Sequence, residues 1–422
     1  MKFKFNLTVF LLFGILIFSF LNCSNSENTS IQKASVSPKK ADSKPDFASL
    51  SENLKNFTET GQLPGISAMV LRKGEVIYNE KFGFQNIENQ TAVTDKTLFR
   101  LASLTKPVTS VGILQLIERG KLNLDDPVEK YLPFFKETLV FETGKQPKNT
   151  MTVRQLLNHT SGISSGFEQN RVGDMFREMT KNTKADNLEA FVREIASIPL
   201  SAEPGTKFIY SHSTDVLALI IEKVSGKRVD EFLKENLFEP VEMSNTDYVV
   251  AEESLEKFAT LYVLDEEGNL KSNGENSESS YVKGNFPRGN SGLVSTVEEY
   301  VKFATMLLNK GTYKGKQILK KETVEALSVN TLTANQMPVA AGPMSFAGLG
   351  FGLGVAVSDG TSPLGKTPGS FGWIGATHTY CFIDPTNEII SIVFSQYGGS
   401  KPNPIIFQFN GWVYEDLNQS KS

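Results

Sequence analysis

The placement of β-forming runs constrains this chain more than any other feature. Two of them flank Lys73-Gly74 near the start, in GISAMVLRKGEVIYNEKFGF (residues 65–84), and the next comparable runs stand at the far end. There, Phe351–Val357, Gly372–Ile383 and Glu388–Ser395 are rich in Val, Ile and aromatic residues, with a turn at Asp384-Pro385-Thr386-Asn387. Such runs bounded by Gly, Pro and Asn read as strands, and the Lys73-Gly74 step reads as a hairpin. A lone hairpin is marginal in water, so the early pair needs the late strands. The expected architecture is one antiparallel sheet assembled from both chain ends, with the intervening segment inserted.

That segment is helical in pattern. MTVRQLLNHT, NLEAFVREIASI, TDVLALIIEKVSG and VDEFLKENLF carry apolar residues at helical spacing between Gly, Pro and Ser loops. The acidic stretch DEEGNLKSNGENSESS reads as an exposed loop, and STVEEYVKFATMLLNKG as a helix with Ser295 and Glu298 at capping-box spacing. Helices are also expected at FASLSENLKNFTETG, with Phe47, Leu50, Leu54 and Phe57 on one face, and at NPIIFQFNGWVYEDL. The fold class is therefore α/β (α+β). A sheet domain at 47–130 and 290–422 is flanked by terminal helices and interrupted by a helical domain at 131–289, with an active site expected in the crevice between them.

The N-terminus has a different character. Lys2 and Lys4 precede the apolar run Leu7–Leu21, which is too short for a spanning helix and carries the basic flank of a secretory signal. Cys23 directly after it resembles the lipidated cysteine of a bacterial lipoprotein. The expectation is a signal peptide at 1–22, a membrane lipid anchor on Cys23, and a flexible tether at 23–46, too polar to bury a core. The protein would then be exported and held at a membrane, periplasmic or on the cell surface. With 43 Lys and Arg against 47 Asp and Glu the formal net charge is −4, and no basic stripe suggests a nucleic-acid partner. His159, His212 and His378 share no metal-ligand spacing, and no dinucleotide or phosphate loop is present, so neither metal nor cofactor is expected.

Two serines compete as a nucleophile. Ser-x-x-Lys starts at Ser30, Ser37, Ser103, Ser254 and Ser280, but only Ser103 opens a long apolar segment, LTKPVTSVGILQLIERG. At a helix start, residues three apart share a face, so Lys106 can reach the Ser103 hydroxyl. The helix end also supplies free N–H groups for a developing oxyanion. An amine of lowered pKa can activate a serine, although the same pair also suits a helix cap and a surface lysine. The rival is GISSG (162–166), which fits the G-x-S-x-G elbow with Ser164 at its centre and could be completed by Asp215 and His378. That elbow requires a strand before the serine and a helix after it. A Gly/Ser loop fits the segment as well.

From Ser103-Leu104-Thr105-Lys106 onward the chain resembles the serine β-lactamase and penicillin-binding-protein-like hydrolases. It is most similar to class C β-lactamases and family VIII carboxylesterases. The likeness runs through FRLASLTKPVTSVGILQLIERGKLNLDDPVEKYLP, MTVRQLLNHTSGI, PGTKFIYSHSTDVLALIIEKVSG, SGLVSTVEEYVKFATMLLNKG and FGWIGATHTYCFIDPTNEII, in that order. It implies Ser103 as nucleophile, Lys106 as its proton partner and Tyr210 as a general base drawn toward phenolate by the neighbouring ammonium. It also implies an oxyanion site at the backbone N–H groups of Ser103 and Ala376. Two positions depart from the family pattern. His212 stands where the second motif commonly has Asn, and Trp373-Ile374-Gly375 stands where the third motif commonly offers a cation. An apolar ring there disfavours a β-lactam carboxylate and favours a neutral ester.

The implied activity is ester hydrolysis through an acyl-enzyme on a small ester or acyl substrate. The alternatives are cell-wall or other D-amino-acid peptides, a β-lactam, and a non-catalytic surface binding role. Loops 164–190 and 330–346 are expected to set the substrate preference.

Overall fold

The computed structural model describes residues 45–284, 286–342, 344–399 and 403–419. The signal, the Cys23 lipid site and the tether up to residue 44 lie outside the described residues. No helix among the described residues is long and apolar enough to cross a membrane.

The early hairpin pairs with the late strands, as the distribution of β runs requires. Strands β1 (Gly65–Arg72), β2 (Glu75–Asn86) and β3 (Thr91–Ala92) come from the start of the chain. Strands β4 (Leu349–Phe351), β5 (Ala356–Ser358), β6 (Phe371–Gly375), β7 (Thr379–Asp384) and β8 (Ile389–Phe394) come from its end. They form one eight-stranded sheet in the order β4-β5-β6-β7-β8-β1-β2-β3, antiparallel throughout. The two halves meet where β1 pairs β8, from Ser67 opposite Phe394 to Arg72 opposite Ile389.

Burial on both faces explains why β1 and β8 are apolar nearly without alternation. Helix α1 (Ala48–Glu59) packs on the chain's last helix, α5 (Ile405–Gln419). Ser391 of β8 bonds Asn410 of α5 at 3.0 Å. Phe394, three residues along and so on the opposite face, meets edge-on the ring of Tyr300 in α4 (Val297–Leu308). The sheet is thus sandwiched between terminal helices and α4. Each fully buried Leu, Ile or Phe in it contributes roughly 1.5–3 kcal/mol of transfer free energy.

Two local expectations shift. The run Phe351–Val357 is broken into β4 and β5, because Gly354, at φ +95°, presses its backbone onto Ser110 where a Cβ would lie 1.9 Å from the hydroxyl. Helix α4 is capped one residue later than the sequence suggests. Thr296 accepts the Glu299 N–H at 3.1 Å, while Ser295 pairs with Phe99 in a short ladder and shares its hydroxyl with Thr246. The acidic stretch is also not wholly a loop, since Tyr262–Leu264 and Leu270–Ser272 pair as a small hairpin.

Two helices build the site, one preceding the helical segment and one within it. Helix α2 (Thr105–Glu118) is buried over nearly its whole surface and packs against α3 (Ser213–Ser225). The remaining link is made by the end of β6. A Cβ on Gly375 would lie 2.1 Å from Thr379 Oγ1 and 2.4 Å from Leu101 O, so only glycine lets the strand close on the segment leading into Ser103. Gly375→Ala is expected to cost at least about 1–3 kcal/mol through overpacking. A urea unfolding curve measures it, and an unchanged midpoint would mean that this contact carries no weight.

Candidate active site

Ser103 sits in the single 3₁₀ turn Ala102–Leu104, which runs straight into α2. Ala102 before it has φ +47°, a left-handed conformation that a non-glycine residue adopts at some cost. The surroundings over-determine it. Thr379 Oγ1 donates to Leu101 O at 2.9 Å and Thr377 Oγ1 to Arg100 O at 2.7 Å. The buried Gln396 amide accepts the Arg100 N–H at 3.0 Å and donates to Arg100 O at 3.1 Å. These bonds tie the chain that follows the exposed Ala376 to the residues entering Ser103.

Lys106, the second residue of α2, is buried to 1% exposure. Its Nζ donates to Ser103 Oγ at 3.0 Å and to Asn290 O at 3.0 Å, and lies 4.6 Å from the centre of the Tyr210 ring. Burial pushes the amine down from 10.5 to about 7, Asp215 opposes that and Arg288 reinforces it. A substantial neutral fraction can therefore accept a proton near neutrality. Tyr210 behaves contrary to the sequence expectation. Burial raises its phenol well above the ordinary value, outweighing hydrogen bonds to Ser103 and Trp373. The phenol is a neutral group, and the desolvation that strips the lysine of its charge also keeps the proton on the tyrosine.

Tyr210 is held on several sides. Trp373 Nε1 donates to its hydroxyl at 2.9 Å. The buried His159 carbonyl accepts the Ile209 N–H at 2.8 Å, and His159 Nδ1 takes the Ser211 N–H at 3.3 Å. The His159 ring lies 4.9 Å from the Tyr210 ring. Trp373 thus fills the expected cation position as a fully buried ring whose only polar atom points at Tyr210. Phe167, half exposed, lies parallel to Tyr210 at 6.4 Å and packs over Gly342. The loops expected to set substrate preference therefore meet beside the phenol, and both supply apolar surface.

His212 stands at the N-terminal end of α3, with its ring facing inward. Its Nδ1 lies 2.8 Å from Asp215 Oδ2, 3.0 Å from Arg288 Nη2 and 3.3 Å from Asn290 Nδ2, and its ring packs on Phe176. Asp215, fully buried, holds a depressed pKa because Arg288 and His212 outweigh its desolvation. Arg288 and Asn290 carry no motif, and sequence reasoning missed them. Their partners lie 73 to 184 residues away in the chain.

The elbow reading fails on this geometry. The short helix Val153–Leu157, not a strand, precedes Ser164, whose hydroxyl donates to Glu168 at 2.8 Å. Asp215 is committed to His212, Arg288 and Asn290. His378 is held by Tyr397 O at 2.7 Å and the Asn403 N–H at 2.7 Å, so both ring nitrogens serve the backbone. No group of three or more potential metal ligands occurs among the described residues. A cleft of about 770 Å³ lined by Gln85, Thr94, Glu256 and Asn276 includes none of the serine cluster.

Burying an amine costs stability. The folded-state pKa lies below the unfolded one, so between about pH 7 and 10.5 the unfolded chain holds a proton that the folded chain lacks, and stability rises with pH. Lys106→Met is therefore expected to raise the melting temperature by about 2 °C or more at neutral pH, with the gain shrinking as pH rises toward the ordinary lysine range. Thermal melts across that range check it, and a pH-independent difference would contradict a desolvated amine.

Comparison with known proteins bears on the family and the fold. The Beta-lactamase family model matches residues 50–406. Esterase EstB of Burkholderia gladioli is 34% identical over 205 residues, 48% of this chain and 50% of that enzyme. An uncharacterized protein of Mycobacterium tuberculosis is 28% identical over 360 residues, 82% of this chain and 88% of its own length. Among solved structures, the octameric penicillin-binding protein homologue from Pyrococcus abyssi is 26% identical with a TM-score of 0.68, covering 88% of this chain and 78% of that one. EstCE1, a hydrolase with promiscuous acyltransferase activity, shares the fold at 24% identity and a TM-score of 0.75, covering 88% and 98% of the two chains. The chain belongs to the Beta-lactamase family of serine hydrolases.

Proposed function

We propose that the protein is a carboxylesterase that forms an acyl-enzyme on Ser103. The observation that carries this reading is the desolvated Lys106 amine 3.0 Å from the Ser103 hydroxyl. Ser103 Oγ attacks the ester carbonyl carbon and its proton passes to the neutral Lys106 amine. The tetrahedral oxyanion is held by the backbone N–H groups of Ser103 and Ala376. Collapse breaks the bond to the alcohol, which leaves with a proton delivered from Lys106 through the Tyr210 phenol. Water then attacks the acyl-enzyme by the reverse relay and releases the acid. Tyr210 is thus a proton conduit held in place by Trp373 and His159, in place of the phenolate base expected from sequence.

The aromatic surroundings support an uncharged substrate. Phe351 and Phe346 each pack edge-on against Trp373 behind Tyr210, and Phe167 offers an exposed ring beside it. The charges nearest Lys106, Asp215 and Arg288, are already paired with each other. A β-lactam or peptide carboxylate would have to compete for Arg288, whereas a neutral ester needs no counter-ion. The basic flank, the Leu7–Leu21 run and Cys23 support export and lipid attachment.

A panel of short p-nitrophenyl esters, a D-alanyl dipeptide and a chromogenic cephalosporin tests the reading. Wild type is expected to hydrolyse the esters in preference to the other two. Ser103→Ala should lose at least about a thousandfold in kcat/KM while remaining folded, and Ser164→Ala should retain activity. Full activity in Ser103→Ala would overturn the proposal, and steady dipeptide cleavage without esterase activity would replace it by a peptidase.

A further inference from the structure

We propose that Asp215 and Arg288 act as a paired charge that sets the protonation state of Lys106, making both positioning residues for the reaction rather than braces for a loop. The inference rests on the reading of Lys106 as the acceptor of the Ser103 proton.

The geometry is a short chain through one residue. Asp215 Oδ1 accepts the Asn290 N–H at 2.9 Å, and Asn290 O accepts from Lys106 Nζ at 3.0 Å. On its other side Asp215 Oδ2 accepts from Arg288 Nη2 at 3.1 Å. The guanidinium is pinned with its carbon 4.2 Å from the centre of the Phe191 ring, so its position relative to the carboxylate is fixed. Asn290 thus links Lys106 to the Asp215 carboxylate, which is paired in turn with Arg288.

Groups from every element around Lys106 bear on its charge. Tyr210, from the segment before α3, presents a neutral phenol, its proton held by burial. His159, from the loop after Val153–Leu157, and His212, at the start of α3, are both pushed below the ordinary histidine value by burial. Asp215 and Arg288 act on the amine with opposite sign.

The arrangement answers a design problem. The loop carrying Asn290 must be anchored to α3, and the Asp215 carboxylate anchors it by taking the Asn290 N–H. A lone buried carboxylate so close to Lys106 would favour the ammonium and leave Ser103 without a base. Arg288 cancels that field while being held by the same carboxylate. Two substitutions that both disturb the loop should therefore move the base in opposite directions, which a purely structural role would not produce.

The test is the pH profile of kcat/KM for a short p-nitrophenyl ester, measured on the full chain and its variants. In wild type the rate should rise through an acidic limb near pH 7, as Lys106 loses its proton. Arg288→Gln should shift that limb upward by about one pH unit, the size expected of a unit charge several ångströms away. Asp215→Asn should shift it downward, and the double variant should return close to wild type. Arg288→Lys, which keeps the charge, should leave the limb in place. If Asp215→Asn does not fold, the contrast between Arg288→Gln and Arg288→Lys decides alone. Loss of activity with an unmoved limb, or equal shifts for Gln and Lys at 288, would overturn this inference while leaving the base assignment intact. Absence of any limb in wild type would overturn the base assignment and this inference with it.

Discussion

The exclusion of water from Lys106 is the constraint on which the rest of the site depends. An exposed lysine beside a serine is an ordinary surface pair, charged and inert as a base. Buried under Tyr210 and sealed by Asn290, the same side chain loses its solvation and approaches neutrality near physiological pH. The cost is offset by the core of the fold. Helix α2 is buried nearly all round, so Lys106 is carried inward by apolar neighbours that would be buried with or without it.

The sheet fixes the other half of the geometry. Strand β6 can approach Ser103 only because Gly375 has no side chain, and Thr377, Thr379 and Gln396 hold the backbone of residues 100 and 101. Trp373, two residues before Gly375 on the same strand, spends its single N–H on Tyr210. Strand β6 thus both closes on the segment before the nucleophile and orients the phenol. An indole at that position leaves no room for a free cation, which ties the neutral-substrate reading to the packing of the core.

Local signals were readable in the sequence and long-range ones were not. The hairpin at 65–84, the helix behind Ser103 and the strands between 371 and 394 follow from periodicity over a few residues, and the antiparallel sheet followed from their placement at both ends. The Ser103–Lys106 contact is three residues long, so spacing alone could suggest it. Asn290 and Arg288 reach the same place from a Gly-rich loop whose path depends on the whole fold, and no pattern around them announces a role. Tyr210 shows a different limit. Its neighbours were recognisable, but the balance between a nearby amine and desolvation depends on water exclusion, which a sequence does not display. The capping of α4 by Thr296 instead of Ser295 is a smaller case, decided by a ladder bond to Phe99 in a distant segment. The GISSG pentapeptide matched an elbow in letters only, since the chain around it forms no strand.

The most direct test of the account is the rate at which a fluorophosphonate labels the protein from acidic to alkaline pH, with the adduct located by peptide mapping. The account predicts a single adduct on Ser103, formed at a rate that climbs through about pH 7 as Lys106 becomes neutral and then levels. An adduct on another serine, or labelling of Ser103 at a rate indifferent to pH across that range, would contradict it.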